Sequence, residues 1–186
     1  MELFAKNGFR GTTTRDLATQ ADVNEAIIFR HFKNKEELYT AILEYKAGEE
    51  NSQGEELERL ANANADEEFF QAVGRTFLEK HEKDTTFLRL LLFSALEGHQ
   101  LSDMFAAAMT ARSPASYYIS NYIRRRVDEG AFRPIDPQLA ARGILGMFAS
   151  FVLFQDILGL KKSTPYDREE VVRTFVSIFL QGITKE

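Results

Sequence analysis

The stretch from Thr13 to Phe32 holds two helix starts with one tight turn between them. That pattern constrains the fold more than any other feature of the chain. Thr13 is a good N-cap, with Asp16 three residues later in a capping-box-like arrangement, and Leu17, Ala18 and Ala21 give the helix that follows an apolar face. Asp22-Val23 turns the chain, and Asn24 is a good N-cap for a second short helix through Phe32. Upstream, Leu3 to Asn7 reads as a helix closed by Gly8, which suits a left-handed C-terminal cap. Downstream, Lys33-Asn34 turns the chain into a longer helix from Lys35, with Leu38, Ile42 and Tyr45 at helical spacing. Two short helices across a tight turn, flanked by a helix on each side, form a helix-turn-helix, whose second helix lies in the major groove of DNA. Packing Leu17, Ala18 and Val23 inward leaves Glu25, Ala26, Phe29 and Arg30 facing outward.

Helical periodicity continues through the rest of the 186 residues, and no convincing strand alternation appears. Helices are expected near 66–82, 85–98, 101–110, 114–129, 137–159 and 167–183, with breaks at Pro114, at Gly130–Pro137 and at Lys161–Pro165. The polar, Gly- and Asn-containing stretch 48–66 is the best candidate for a boundary or a frayed helix end. The expected architecture is all-α: a three-helix DNA-binding module over 1–46, then a helical ligand-binding and dimerisation domain over 47–186.

The net charge of −5 at first argues against a nucleic-acid partner, but its distribution removes the objection. Residues 1–46 carry seven Lys/Arg and seven Asp/Glu, so the excess acid lies wholly outside the module. Phosphate contact depends on the local field at the docking face.

The run GFRGTTTRDLATQADVNEAIIFRHFKNKEEL, residues 8–38, resembles the DNA-binding module of the TetR family. The resemblance implies a role for each matching residue. Thr13 and Thr14 meet a phosphate at the start of the first motif helix. Arg15 reaches a base edge. Asn24 caps the second helix, Glu25, Ala26 and Ile27 approach bases, and Arg30 faces the groove. His31 and Lys35 hold phosphates. Three positions depart from the family pattern. Phe29 stands where tyrosine is usual, which removes a phosphate hydrogen bond and leaves a ring able to touch a thymine methyl. Asp22 replaces a turn glycine, and aspartate tolerates left-handed geometry better than most residues. Ala26 replaces another frequent glycine. Members usually carry a longer stretch before this point, so the sequence starts inside the first helix or has a short one.

In such chains the last two long helices pair with their copies in a four-helix dimer interface, which implicates the stripes holding Phe148, Phe154, Val172, Phe175 and Phe179. A dimer sets two recognition helices about one DNA turn apart, or a multiple of it, and so implies a roughly palindromic operator. The aromatic-rich middle helices are either solid core or the lining of an effector cavity. Phe70, Phe77, Leu92, Phe93, Leu96, Phe105, Tyr118, Tyr122, Phe151 and Gln155 are the candidate lining residues, for a small and largely apolar effector.

Enzymatic function finds little support. The histidines (His31, His81, His99) are scattered without metal-ligand spacing, and no nucleophile elbow, P-loop or dinucleotide fingerprint is present. With no cysteine, disulfides and thiolate sites are excluded. Neither a metal nor a cofactor is expected. No apolar run reaches the roughly 18 residues of a membrane span, and the N-terminus lacks a signal-peptide layout, so a cytoplasmic location is expected. The reading is a DNA-binding regulator, most simply a repressor released by its effector. The competing readings are a small-molecule binder with a vestigial DNA module and a ligand-independent nucleoid factor.

Overall fold

The computed structural model describes residues 1–48, 54–97 and 114–185. Side-chain caps set the boundaries that the sequence suggests. Helix α1 (Glu2–Asn7) ends at Gly8. Helix α2 (Thr14–Gln20) starts at a complete capping box between Thr13 and Asp16. Helix α3 (Glu25–His31) starts at Asn24, whose side chain accepts from the Ala26 amide. The turn between α2 and α3 places Asp22 at φ 53°, the left-handed conformation that aspartate tolerates. Helix α4 (Lys35–Gly48) follows, then α5 (Gly54–Asn62), α6 (Asp66–Lys83) and α7 (Thr86–Glu97). The last helices are α8 (Pro114–Asp128), α9 (Pro137–Val152) and α10 (Arg168–Ile183). Asp136 and Asp167 cap α9 and α10 through their carboxylates.

Three expectations change. The stretch 48–66 contains α5, which the polar composition concealed; its signal is the Leu57/Leu60 pair on one face, with Leu60 buried. The helix expected over 137–159 leaves α geometry at Val152 and passes through a π-helical turn (Leu153–Ile157) and a short 3-10 turn (Leu160–Lys162). The helix expected at 101–110 lies outside the described residues. Pro137–Ile157 is also long and apolar enough, by length and composition, to cross a membrane, contrary to the expectation that no segment is. Here Ala140, Ala141, Ile144, Phe148 and Val152 are buried along one side of it.

The chain divides into two compact units. The first holds the described residues of Met1–Glu50 and Thr86–Ala108, so α7 belongs with the N-terminal helices. Its core joins α1, α4 and α7 through Phe4, Phe9, Tyr39, Leu43 and Leu90. Tyr39 sits edge-on to Phe4 at 4.9 Å and to Phe9 at 5.4 Å. Its hydroxyl donates to the Leu90 carbonyl at 2.8 Å, so the buried polar atom is satisfied. Burial, and then the Glu97 carboxylate, hold the phenol protonated well above its ordinary range.

The second unit packs α6 against α8, α9 and α10. Phe69 stacks on Tyr122 at 4.0 Å and Phe70 meets Phe179 at 5.0 Å. Gly74 is required by a close approach, because a Cβ there would lie 2.4 Å from Cζ of Phe148. Arg126 grips the Asp66 carboxylate with two bonds of 2.9 Å each, and the Tyr122 hydroxyl donates to the same carboxylate. The chain after α8 meets the C-terminus through an isolated bridge between Phe132 and Thr184.

Candidate nucleic-acid interface

Helix α3 contributes no fully buried residue. Ile28 packs partly against the first unit's core, Glu25 is half-buried, and Ala26, Ile27, Phe29, Arg30 and His31 are exposed. Ile27 is 44% exposed and Phe29 48%, with Ala26, Arg30 and His31 exposed beside them. Large apolar side chains in water on a helix flanked by basic groups suit contact with base edges and thymine methyls. Arg15 is exposed near the start of α2. Val23, expected to point inward, is 37% exposed, and its amide donates to the Ala18 carbonyl at 3.0 Å.

Several expected DNA contacts have structural work in the free chain. The Thr13 hydroxyl accepts from the Asp16 amide and donates to its carboxylate at 2.6 Å. The hydroxyl's bond to the carboxylate, and then the Thr13 amide's bond to it at 3.1 Å, hold the Asp16 carboxyl below the usual carboxylate range. The Thr14 hydroxyl donates to Glu25, tying α2 to α3. Asn24 is engaged as the cap of α3. Lys35 differs most from its expected role of phosphate ligand. Its ammonium donates to the carbonyls of Phe9 at 2.8 Å and Thr12 at 2.9 Å and lies 4.1 Å from the Phe9 ring centre. Two of its three donors thus hold the loop before α2.

That loop is also held by Glu97, the last residue of α7. Gly8, at φ 75°, turns successive amides toward one point. There the Glu97 carboxylate accepts from Phe9 N at 3.0 Å and from Arg10 N at 3.3 Å. Consecutive amides turned toward one point make a small concavity for an anion. Arg10 also donates from its guanidinium to the Glu97 carbonyl at 3.3 Å. A Cβ at Gly8 would lie 2.5 Å from Glu97 Oε1, so the glycine serves both the φ and the approach. A glycine predicted to be left-handed, followed by two amides needing acceptors, was the available signal; the distant carboxylate was not legible.

The described effector candidates are divided between the two units, and each is placed within its own unit. Phe70 and Tyr122 are buried in the aromatic core of the second unit, so they are packing residues rather than lining. Phe77 stacks on His81 at 4.3 Å. Leu92 and Phe93 are half-buried on α7 in the first unit, and Leu96 there is 83% exposed. Tyr118 is exposed on α8. Phe105 lies outside the described residues. Phe151 and Gln155 do line a cavity of the second unit, together with Leu78 and Tyr166.

The dimer residues also separate. Phe148 and Val172 are fully buried, and Phe179 nearly so, within the second unit, so they are core rather than interface. Phe175 is half-buried between Phe148 and Phe151. Phe154 is 50% exposed, and Leu139, Leu158 and Ile178 are exposed too. Leu139, Gly143, Gly146, Ser150, Phe154 and Leu158 recur at three- and four-residue steps along one face of α9 and the turn after it.

Comparison with known proteins agrees with this geometry. Residues 1–42 match the model of bacterial regulatory proteins of the tetR family, and residues 68–182 match the C-terminal domain of AefR-like transcriptional repressors. The HTH-type transcriptional regulator YvkB of Bacillus subtilis is 45% identical over 58 residues, 31% of each chain. YerO of the same organism is 25% identical over 173 residues, 92% of this chain and 57% of that one. The matches thus span less than two thirds of either relative. The crystal structure of AibR in complex with isovaleryl coenzyme A and operator DNA superposes with a TM-score of 0.70. It covers 95% of this chain and 91% of that one at 19% identity, a likeness of fold alone. The C-terminal model by itself spans more than half of the sequence and the N-terminal model covers the helix-turn-helix, so the chain belongs to the TetR family of bacterial DNA-binding transcriptional regulators.

Proposed function

We propose that this regulator is a ligand-responsive repressor that binds a palindromic operator as a homodimer and leaves it when a small effector binds the helical region. The observation that carries the DNA-binding part is the outward display of Ile27, Phe29 and Arg30 on a helix with no fully buried residue. In this reading Ala26, Ile27 and Phe29 meet base edges, while Arg15, Arg30 and His31 supply base and phosphate contacts. Thr13, Thr14, Asn24, Glu25 and Lys35 hold the two motif helices and the loop before them in register. Any phosphate contact they make comes in addition to that role.

The dimer forms through the exposed stripe of α9 and the turn after it, with Leu139, Phe154 and Leu158 joined by Ile178 of α10. Buried Phe148, Val172 and Phe179 support this face from behind. Repression is favoured by the AefR-like repressor match, and an effector by the acyl coenzyme A ligand of the AibR complex. The effector acts by binding one arrangement of the dimer more tightly than the other.

Selection of genomic DNA fragments by the full chain tests the reading. The expected result is enrichment of a site with two-fold symmetry, bound with an affinity that falls steeply with salt. No enrichment, or enrichment of sites lacking symmetry, contradicts it.

A further inference from the structure

The second unit contains a cavity of about 40 Å³ beside the π-helical turn Leu153–Ile157. That volume takes about three water-sized groups. Leu78, Phe151, Val152 and Tyr166 supply apolar wall. Gln155 also lines it, is 7% exposed, and its carboxamide oxygen has no hydrogen-bond partner among the described residues. A buried acceptor left unpaired is costly, and in native proteins such groups are rare. Wide π turns are themselves frequent at functional sites.

The charges around the cavity cancel. Lys161 pairs with Glu82 at 2.9 Å and with Asp156 at 3.6 Å, and Arg168 reaches Glu82 at 3.6 Å. The Lys161 bond keeps Glu82 below the usual carboxylate range, and the same contact raises the Lys161 ammonium. Two acids and two bases answer one another, so the site demands neither an anion nor a cation. The unmet requirement is a donor for the Gln155 oxygen.

We infer that this cavity is a binding site for a small neutral hydroxyl group carried on a short apolar stem, with the hydroxyl donating to Gln155 and the stem lying between Phe151, Leu78 and Tyr166. The site goes beyond the effector reading in naming the chemistry. It rests on that reading only for its connection to DNA: the hydroxyl head of the effector is what the cavity takes.

The test uses 1-propanol, propionate and propylammonium, three probes of nearly equal size and different charge, titrated against the full chain by ligand-detected NMR. Saturable binding of 1-propanol is expected, with both ions weaker. Gln155→Leu should weaken 1-propanol by about tenfold, the order set by one hydrogen bond to an otherwise unpaired buried group. Gln155→Glu should move the preference to propylammonium, a change that a loss of folding cannot mimic. No saturable binding of 1-propanol, equal binding by the parent and the Gln155→Leu variant, or tighter binding of either ion by the parent chain overturns the site. Operator affinity measured in the same titration separates the two readings. Saturation of the cavity with unchanged DNA affinity keeps the site and overturns its part in release, whereas weakened DNA binding supports both.

Discussion

Helix α3 leaves Ile27 and Phe29 in solvent, whereas α9 buries Ile144, Phe148 and Val152 and leaves Leu139 outside. Both helices are apolar by composition, yet their side chains serve different purposes. In α3 the neighbouring elements are held by caps, by the Thr14–Glu25 bond and by the Lys35 and Glu97 clamps on the loop before α2. The helix is therefore free to present its surface to a partner. In α9 the inward face packs within its unit, and the apolar stripe that continues to Phe154 and Leu158 stays exposed. Exposed apolar area on an otherwise secured element marks binding, while apolar density alone does not.

The largest effect that separates the two uses lies within α9 and its following turn. Phe148→Ala should cost about 3–5 kcal/mol of unfolding free energy, because it opens a cavity against Gly74 and Phe175. Phe154→Ala should cost far less in urea unfolding at the same protein concentration. It should instead weaken self-association at least about tenfold in sedimentation equilibrium, as loss of an interface aromatic does. If Phe154→Ala unfolds the chain while Phe148→Ala spares it, the division of α9 into core and interface faces is wrong.

The clamp on α1 and α2 comes next. Glu97→Ala should cost about 1–3 kcal/mol by leaving two amides without their acceptor. It should speed hydrogen exchange at the Phe9 and Arg10 amides and weaken operator binding, while α3 keeps its helical signature. Unchanged exchange at those amides would remove Glu97 from the account of how the motif is held.

The cap of α2 gives the smallest effect. Thr13→Ala should cost about 1 kcal/mol, as N-cap losses do. The folded chain lowers the Asp16 pKa, so the carboxylate's contribution is present above its unfolded value and is lost as pH falls through the lower folded value. The parent should therefore lose α2 stability on acidification below the ordinary carboxylate range. Asp16→Asn should flatten that slope in a pH series of amide exchange, and an unchanged slope would assign the acid sensitivity elsewhere.

The same contrast explains what could be read without coordinates. The caps at Thr13, Asn24, Asp136 and Asp167 act over two or three residues, so local sequence reveals the helices they start. The identity of the module followed from many local signals agreeing. Which face of α9 or α10 turns inward depends on where α6 and α8 lie, and periodicity carries no such information when both faces are apolar. Phe148, Val172 and Phe179 therefore read from sequence as interface residues, although the folded unit buries them. Phe70 and Tyr122 were assigned to a cavity because an aromatic cluster looks the same in sequence whether its rings stack on one another or line a space. Lys35 and Glu97 find partners 23 to 88 residues away, so their roles become visible only once the chain is folded.

The outward face of α3 is the proposed reader of DNA. Fluorescence anisotropy of the operator fragment recovered by selection, measured with the parent chain and with an Ile27→Ala, Phe29→Ala, Arg30→Ala triple variant at fixed salt, tests it most directly. Each well-placed contact to a base contributes about 1–3 kcal/mol. The triple variant should therefore lose specific affinity by about a hundredfold or more, with unchanged helicity and self-association. Parent-like affinity in the triple variant would contradict the claim.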